Sequence, residues 1–307
     1  MPGKRRGPRA LVAAVFAQLR GGSRGTFLAI GVLALFLVLL GVAWREYGGV
    51  VVQNPKYRIS LENLEVTEQP RWISSDVKAE AYANGSLEGL SLLDQQTIRL
   101  VEQSFAMHPW VEEVQRASKA PDGSVKVLLR YRQPVLMIGV RGGYYPIDAS
   151  GVVLPTAGFT QASTSNYLQF YAEGLYKVEQ RLAGTKYGDD RVVAAAGIAH
   201  ALGSLWRDAG LVRLDVYRLG DTPLLASRLL YEFSTRDGRR VIWGSAPGHE
   251  RSGEPVAAEK VAALARFIKR NGPLTGDRQS PPIDLTKGPE ESEADVASRM
   301  SQLGPHN

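Results

Sequence analysis

Two short patterns carry the spacing of catalytic motifs. Gly21-Gly22-Ser23-Arg24-Gly25 fits G-x-S-x-G, in which a sharp strand-to-helix turn thrusts a serine hydroxyl out of a soluble sheet. Here a basic tail precedes the serine and a long apolar run follows it, so the strand that the chemistry requires is missing. Ser75-Asp76-Val77-Lys78 fits S-x-x-K, which sets a lysine one helical turn from a serine nucleophile. The companion S-D-N and K-T-G elements are absent, and a helix cap beside an exposed lysine accounts for the same residues. The four histidines, His108, His200, His249 and His306, stand far apart and none shows a ligand spacing such as H-E-x-x-H. His200, among alanines, reads as a half-buried structural residue, and His249, in a Gly/Pro/Ser loop, as a solvated one. There is no cysteine, which excludes a disulfide scaffold, thiolate metal sites, Fe–S clusters and a cysteine nucleophile. No glycine-rich loop ends in Lys-Ser or Lys-Thr, so a phosphate cradle is unsupported. The expectation is a protein with no catalytic, cofactor-binding or metal site and no cofactor, and not an enzyme.

The charge pattern points to a membrane. The 307 residues carry a formal charge of +6, but residues 1–45 hold seven basic groups (Lys4, Arg5, Arg6, Arg9, Arg20, Arg24 and Arg45) and no acid. The remaining 30 basic and 31 acidic groups nearly cancel. A nucleic-acid binder spreads its positive charge over a folded face, so nucleic acid is set aside as a partner. Gly25 to Trp44 are 20 residues without a charge. As a helix they span ~30 Å, the depth of a bilayer's hydrocarbon core. Trp44 and Tyr47 stand where interfacial aromatics belong, and six of the seven positive charges precede the run, which places the N-terminus in the cytoplasm. A cleaved signal peptide is the competing assignment, but the run is too long and its exit, Val42-Ala43-Trp44-Arg45, lacks a small-x-small site. The organisation expected is a cytoplasmic tail (1–24, with an amphipathic stretch at 9–20), a transmembrane helix (25–45), and extracytoplasmic domains after a linker at Gly48–Pro55.

Beyond the linker the apolar periods define elements. Tyr57 to Val66 reads as one bulged strand. Ser74-Ser75-Asp76 caps a helix to about Ala83, and Asp94 caps another bearing Ile98, Val101 and Phe105, stopped before His108-Pro109. Strands follow at Trp110–Ala117 and Val125–Tyr131 around a Pro121-Asp122-Gly123 turn. That is a β-α-α-β-β unit over 56–133. A second, strand-rich unit over 134–287 begins at Gln133-Pro134. Its expected strands are Val135–Val140, Tyr144–Ile147, Val152–Leu154, Tyr167–Tyr171, Val212–Leu219, Leu229–Thr235, Arg240–Trp243 and Ile283–Thr286. One helix runs from Asp189 or Asp190 to Ala209-Gly210, and another from Pro255 to Asn271-Gly272. Residues 155–188 are otherwise unpatterned, and the acidic tail 288–307 is too poor in apolar residues to fold. The fold class is α+β.

The residues that carry a resemblance are spread along the chain. They are His108-Pro109-Trp110-Val111-Glu112-Glu113-Val114; Arg130-Tyr131-Arg132-Gln133-Pro134-Val135; Tyr144-Tyr145-Pro146-Ile147-Asp148 with Gly151-Val152-Val153-Leu154; Gly244 with Glu259-Lys260-Val261; and Ile283-Asp284-Leu285. In order and spacing the chain resembles the FtsQ/DivIB family of bacterial cell-division proteins, over about 57–154 and again over 189–287. Leu136 and Thr286 depart from the family's usual Ala and Arg, and 155–188 matches none of its marks. The resemblance implies a POTRA domain next to the membrane and a mixed β domain beyond it. It implies a non-enzymatic inner-membrane scaffold at the septum, joining two other single-span division proteins with coiled-coil ectodomains and taking no small-molecule substrate. The last strand, Ile283, Asp284, Leu285 and Thr286 with Lys287 just past it, is expected to be an open edge that binds a partner's backbone by β-augmentation. The alternatives are another POTRA-bearing envelope-assembly or secretion component, and an anchored extracytoplasmic hydrolase.

Overall fold

The computed structural model describes residues 24–52, 57–175, 181–218 and 229–287. The first element, α1 (Arg24–Val52), is the one helix among the described residues long and apolar enough to cross a membrane, and every residue from Leu28 to Glu46 is exposed. None of the described residues covers this all-round apolar surface, as expected of a candidate single span. The helix continues through Gly48-Gly49 to Val52, so the expected linker shrinks at its N-terminal end. The basic residues 1–23, with the stretch at 9–20, and the acidic tail 288–307 lie outside the described residues.

The β-α-α-β-β order is present. It comprises β1 (Leu64–Val66), α2 (Val77–Asn84), α3 (Gln96–Ala106), β2 (Val111–Lys119) and β3 (Val125–Tyr131). The strands form a sheet in the order β1-β3-β2, with β1 parallel and β2 antiparallel to β3. The strand expected over Tyr57–Val66 is broken in two. A turn at residues 61–63, closed by Ser60 N–H donating to Asn63 Oδ1 (2.9 Å), stands where a bulge was expected. Only Arg58 bridges elsewhere, to Ser91. The core of this unit gathers Ile59, Leu64, Val77, Ala81, Leu87, Val101, Phe105, Trp110, Val125 and Val127. Alternation along β3 and the 3.6-residue stripe on α3 supply these side chains, as their sequence periods require.

The second unit is built on a seven-stranded mixed sheet in the order β10-β9-β8-β7-β6-β4-β5. Its strands are β4 (Pro134–Val140), β5 (Gly143–Asp148), β6 (Leu168–Tyr171), β7 (Leu211–Arg218), β8 (Leu229–Thr235), β9 (Arg240–Gly244) and β10 (Ile283–Asp284). The strand expected at Val152–Leu154 is reduced to isolated bridges from Val152 and Val153, and Leu219 lies outside the described residues. One short helix, α4 (Gln161–Thr164), falls in the unpatterned stretch, where Thr160 caps it. The helix expected from Asp189 to Ala209 is two helices, α5 (Asp190–Leu202) and α6 (Leu205–Asp208). Gly203 at φ +55° separates them, although Trp206 continues the apolar stripe. With α7 (Ala257–Asn271) these helices supply buried residues, Val192, Ala196, Trp206 and Leu264, to one core with the sheet's Ile138, Phe170, Leu214, Phe233, Trp243 and Ile283.

Candidate functional site

The geometry of the predicted binding strand follows from its local chemistry. Pro281-Pro282 delivers an extended chain into Ile283 and Asp284, which pair in parallel with Val241 and Ile242 of β9. Leu285 N–H then donates to Ile242 O at 2.9 Å. Main-chain groups alternate from side to side along a strand, so residues 283 and 285 face β9, while the N–H and C=O of Asp284 face the open margin of the sheet. No strand lies beyond β10 among the described residues. Ile283 and Leu285 turn their side chains into the core, at 6 % and 5 % exposure. The strand ends where Asp284 Oδ1 accepts from Thr286 N–H (2.9 Å) and Thr286 Oγ1 (2.6 Å), a side-chain turn that bends the chain away. Ile283 and Leu285 are core residues, and the Thr286 N–H is already taken, so the expected four-residue strand is two residues long. Asp284 carries the outward backbone, and Lys287 is exposed beside it.

Next to this margin lies a buried charged network that sequence reasoning missed. Gly244 ends β9 at φ +92°, and a Cβ there would collide with Glu254 Oε1 and with Thr286 Cγ2. Glu254 thus reaches the glycine's empty side. It accepts from Ser245 N–H (2.6 Å), Ser245 Oγ (2.7 Å) and Arg251 N–H (3.1 Å), and pairs with Lys260 Nζ at 2.6 Å. The Lys260 side chain is fully buried, with its ammonium 5.1 Å from the centroid of the Trp243 ring. Burial by itself would raise the Glu254 carboxyl, but the lysine and the backbone donors outweigh it and hold the group at about 2. The signal was present in the sequence: Lys260 sits four residues before Leu264 on the inward stripe of α7, where a charge demands a buried partner.

The residues of the S-x-x-K match stand at the start of α2. Asp76, not Ser74 or Ser75, caps α2 by accepting from Ala79 N–H at 3.0 Å. The Ser75 carbonyl accepts from Gln69 Nε2 (2.6 Å), and Ser74 Oγ donates to Ala157 O (3.2 Å). Of the G-x-S-x-G match, residues 21–23 lie outside the described residues. His200 is exposed in the last turn of α5, contrary to the half-buried position expected, and His249 is exposed in its loop. His108 is buried, with Nε2 2.9 Å from Glu80 Oε2 and Nδ1 accepting from Trp110 N–H, which ties the end of α3 to α2. No group of three or more metal-ligating side chains occurs among the described residues.

A cavity of about 420 Å³ opens between the β4–β5 hairpin and α4, with Tyr144 and Tyr171 on its wall. Their hydroxyls meet at 2.9 Å and share Gln169. Burial, then the bond to Tyr144, pushes the Tyr171 phenol up to about 12, and the Arg213 guanidinium lies 4.2 Å from the centroid of its ring. No family model matches the chain, and no curated protein matches it either. The molecule is a mixed α+β protein with strand-rich sheets and one N-terminal apolar helix, a candidate single membrane span.

Proposed function

We propose that this chain is a membrane-anchored, non-enzymatic scaffold of the bacterial division machinery, of the FtsQ/DivIB kind, with a POTRA-like unit at 56–133 and a β domain at 134–287. In this reading α1 is an uncleaved span with the N-terminus in the cytoplasm, and the two units work outside the inner membrane at the septum. They capture other single-span division proteins, whose ectodomains are coiled coils. The observation that carries the proposal is the sheet margin at β10, where the Asp284 N–H and C=O face outward and no further strand pairs with them among the described residues. An extended segment can add there as an eighth strand, gaining main-chain hydrogen bonds whatever its side chains. The Glu254–Lys260 network supports the reading, because an edge that must accept a partner needs a fixed plane.

The test is a fluorescent fusion at the native locus combined with depletion. The expected outcome is a band at mid-cell during constriction, with filamentous cells on depletion. Uniform envelope fluorescence with normal division would favour another envelope-assembly role. Turnover of peptidoglycan or peptide by the purified chain, abolished by a point substitution, would favour the anchored hydrolase.

A further inference from the structure

Only Arg132 and Gln133 link β3 to β4, a connection short enough to act as a hinge between the two units. Domain motion is the default across such a joint unless a packed interface prevents it. The segment that follows β5, which no local period explains, crosses back over the joint. Leu154 is wholly buried and packs in the core of the first unit, although it follows the first hairpin of the second. Phe159 stacks on Trp110 of the first unit (centroids 6.4 Å, planes 27°) and meets Tyr167 of the second edge-on at 5.8 Å. Between them, Ala157 O accepts from Ser74 Oγ, and Gly158 at φ +90° lies so close to Ser74 that a Cβ would collide with its hydroxyl. Pro109 lies against Gly184, which donates its N–H back to Val153 O (2.8 Å) and so closes the segment on itself.

A charged tie reinforces the apolar one. Arg132 Nη1 pairs with Asp148 Oδ2 at 2.6 Å, with side chains 17 % and 5 % exposed. The other oxygen of Asp148 accepts from Ser150 N–H (2.9 Å) and Val152 N–H (2.8 Å), so the carboxylate that holds the joint also shapes the turn leading into the strap. Trp72 Nε1–H donates to Arg132 O (3.1 Å), which fixes the linker from the side of the first unit.

We propose that residues 154–159, backed by Gly184 and the Arg132–Asp148 pair, form an interdomain strap that makes the two units one rigid arm with no hinge at 132–133. Opening the joint would expose Leu154, Phe159 and Trp110 together and strand a buried ion pair, so the units should move and unfold as one. This inference does not rest on the division reading.

The absence of cysteine makes the test direct, since introduced thiols label alone. Gln103→Cys on α3 and Ser252→Cys beyond β9, both exposed, take spin labels on the full chain in nanodiscs. The strap predicts a single narrow interlabel distance and one thermal transition. Phe159→Ala should broaden the distance distribution at least twofold and split the transition in two. Gly158→Val, which displaces the strap from Ser74 without truncating any core side chain, should do the same. A broad or multiple distance distribution in the unsubstituted chain would overturn the proposal. So would one narrow distance and one transition retained in both variants.

Discussion

A lysine ammonium with no exposed surface is tolerable only because Glu254 meets it at 2.6 Å and itself receives three further donors. Taking away one partner leaves the other charge buried, at a cost of ~3–5 kcal/mol, whereas replacing both by neutral groups of similar volume is close to neutral. Lys260→Met or Glu254→Gln alone should therefore lower the melting temperature sharply, and the double variant should recover most of the loss, as calorimetry will read. The pH dependence has a definite sign. A carboxyl held at about 2 in the fold, against an ordinary 4.5, contributes stability that is complete above the ordinary value and fades as the pH falls toward 2. The unsubstituted chain should lose stability over that window more steeply than the double variant does. The cap at α2 gives a second residue-level test. Asp76→Ala should cost about 1 kcal/mol, and Ser75→Ala should cost little and leave function intact, because Asp76 makes the capping bond. Loss of function in Ser75→Ala at an unchanged melting temperature would revive acyl chemistry at Ser75 and Lys78.

At the scale of elements, β10 makes the sharpest forecast. Proline at 284 removes the N–H that faces the open margin, whereas proline at 286 removes one already bound to the Asp284 carboxylate. Asp284→Pro should abolish partner capture, and Thr286→Pro should weaken it only through the lost turn, as co-purification of folded variants will show. The outward strand position was legible in the sequence, but which residue faces outward was not, because parity depends on the register with β9. The α2 and α3 helices and the β2–β3 hairpin were legible because the Asp76 cap, the apolar stripe on α3 and the alternation along β3 are each local in sequence. The continuous helix across Gly203 was misjudged for the converse reason: Trp206 keeps the apolar period while the glycine's positive φ ends the hydrogen bonding. Around Phe159 the stretch that begins at 155 carried no period because that ring packs against the other unit, and such a contact leaves no local trace. Lys260 was visible as a charge on an apolar stripe, yet its partner, six residues earlier in a loop, follows no helical spacing.

For the whole molecule, a one-sided basic flank and a fully exposed apolar helix predict a single topology. Protease added outside spheroplasts should leave only a small anchored fragment, and a mature chain beginning near Trp44 would instead show cleavage. Beyond that helix, the buried Glu254–Lys260 pair lies beside the sheet margin at β10. In the proposed scaffold this margin binds another chain through its backbone. The most direct measurement places a photo-cross-linking amino acid at Lys287, beside β10, in dividing cells and identifies the adduct by mass spectrometry. The expected result is an adduct with a single-span division protein bearing a coiled-coil ectodomain, lost when Asp284→Pro is added to the folded chain. Such an adduct persisting undiminished in folded Asp284→Pro, or no adduct at all in the unsubstituted strand, would contradict it.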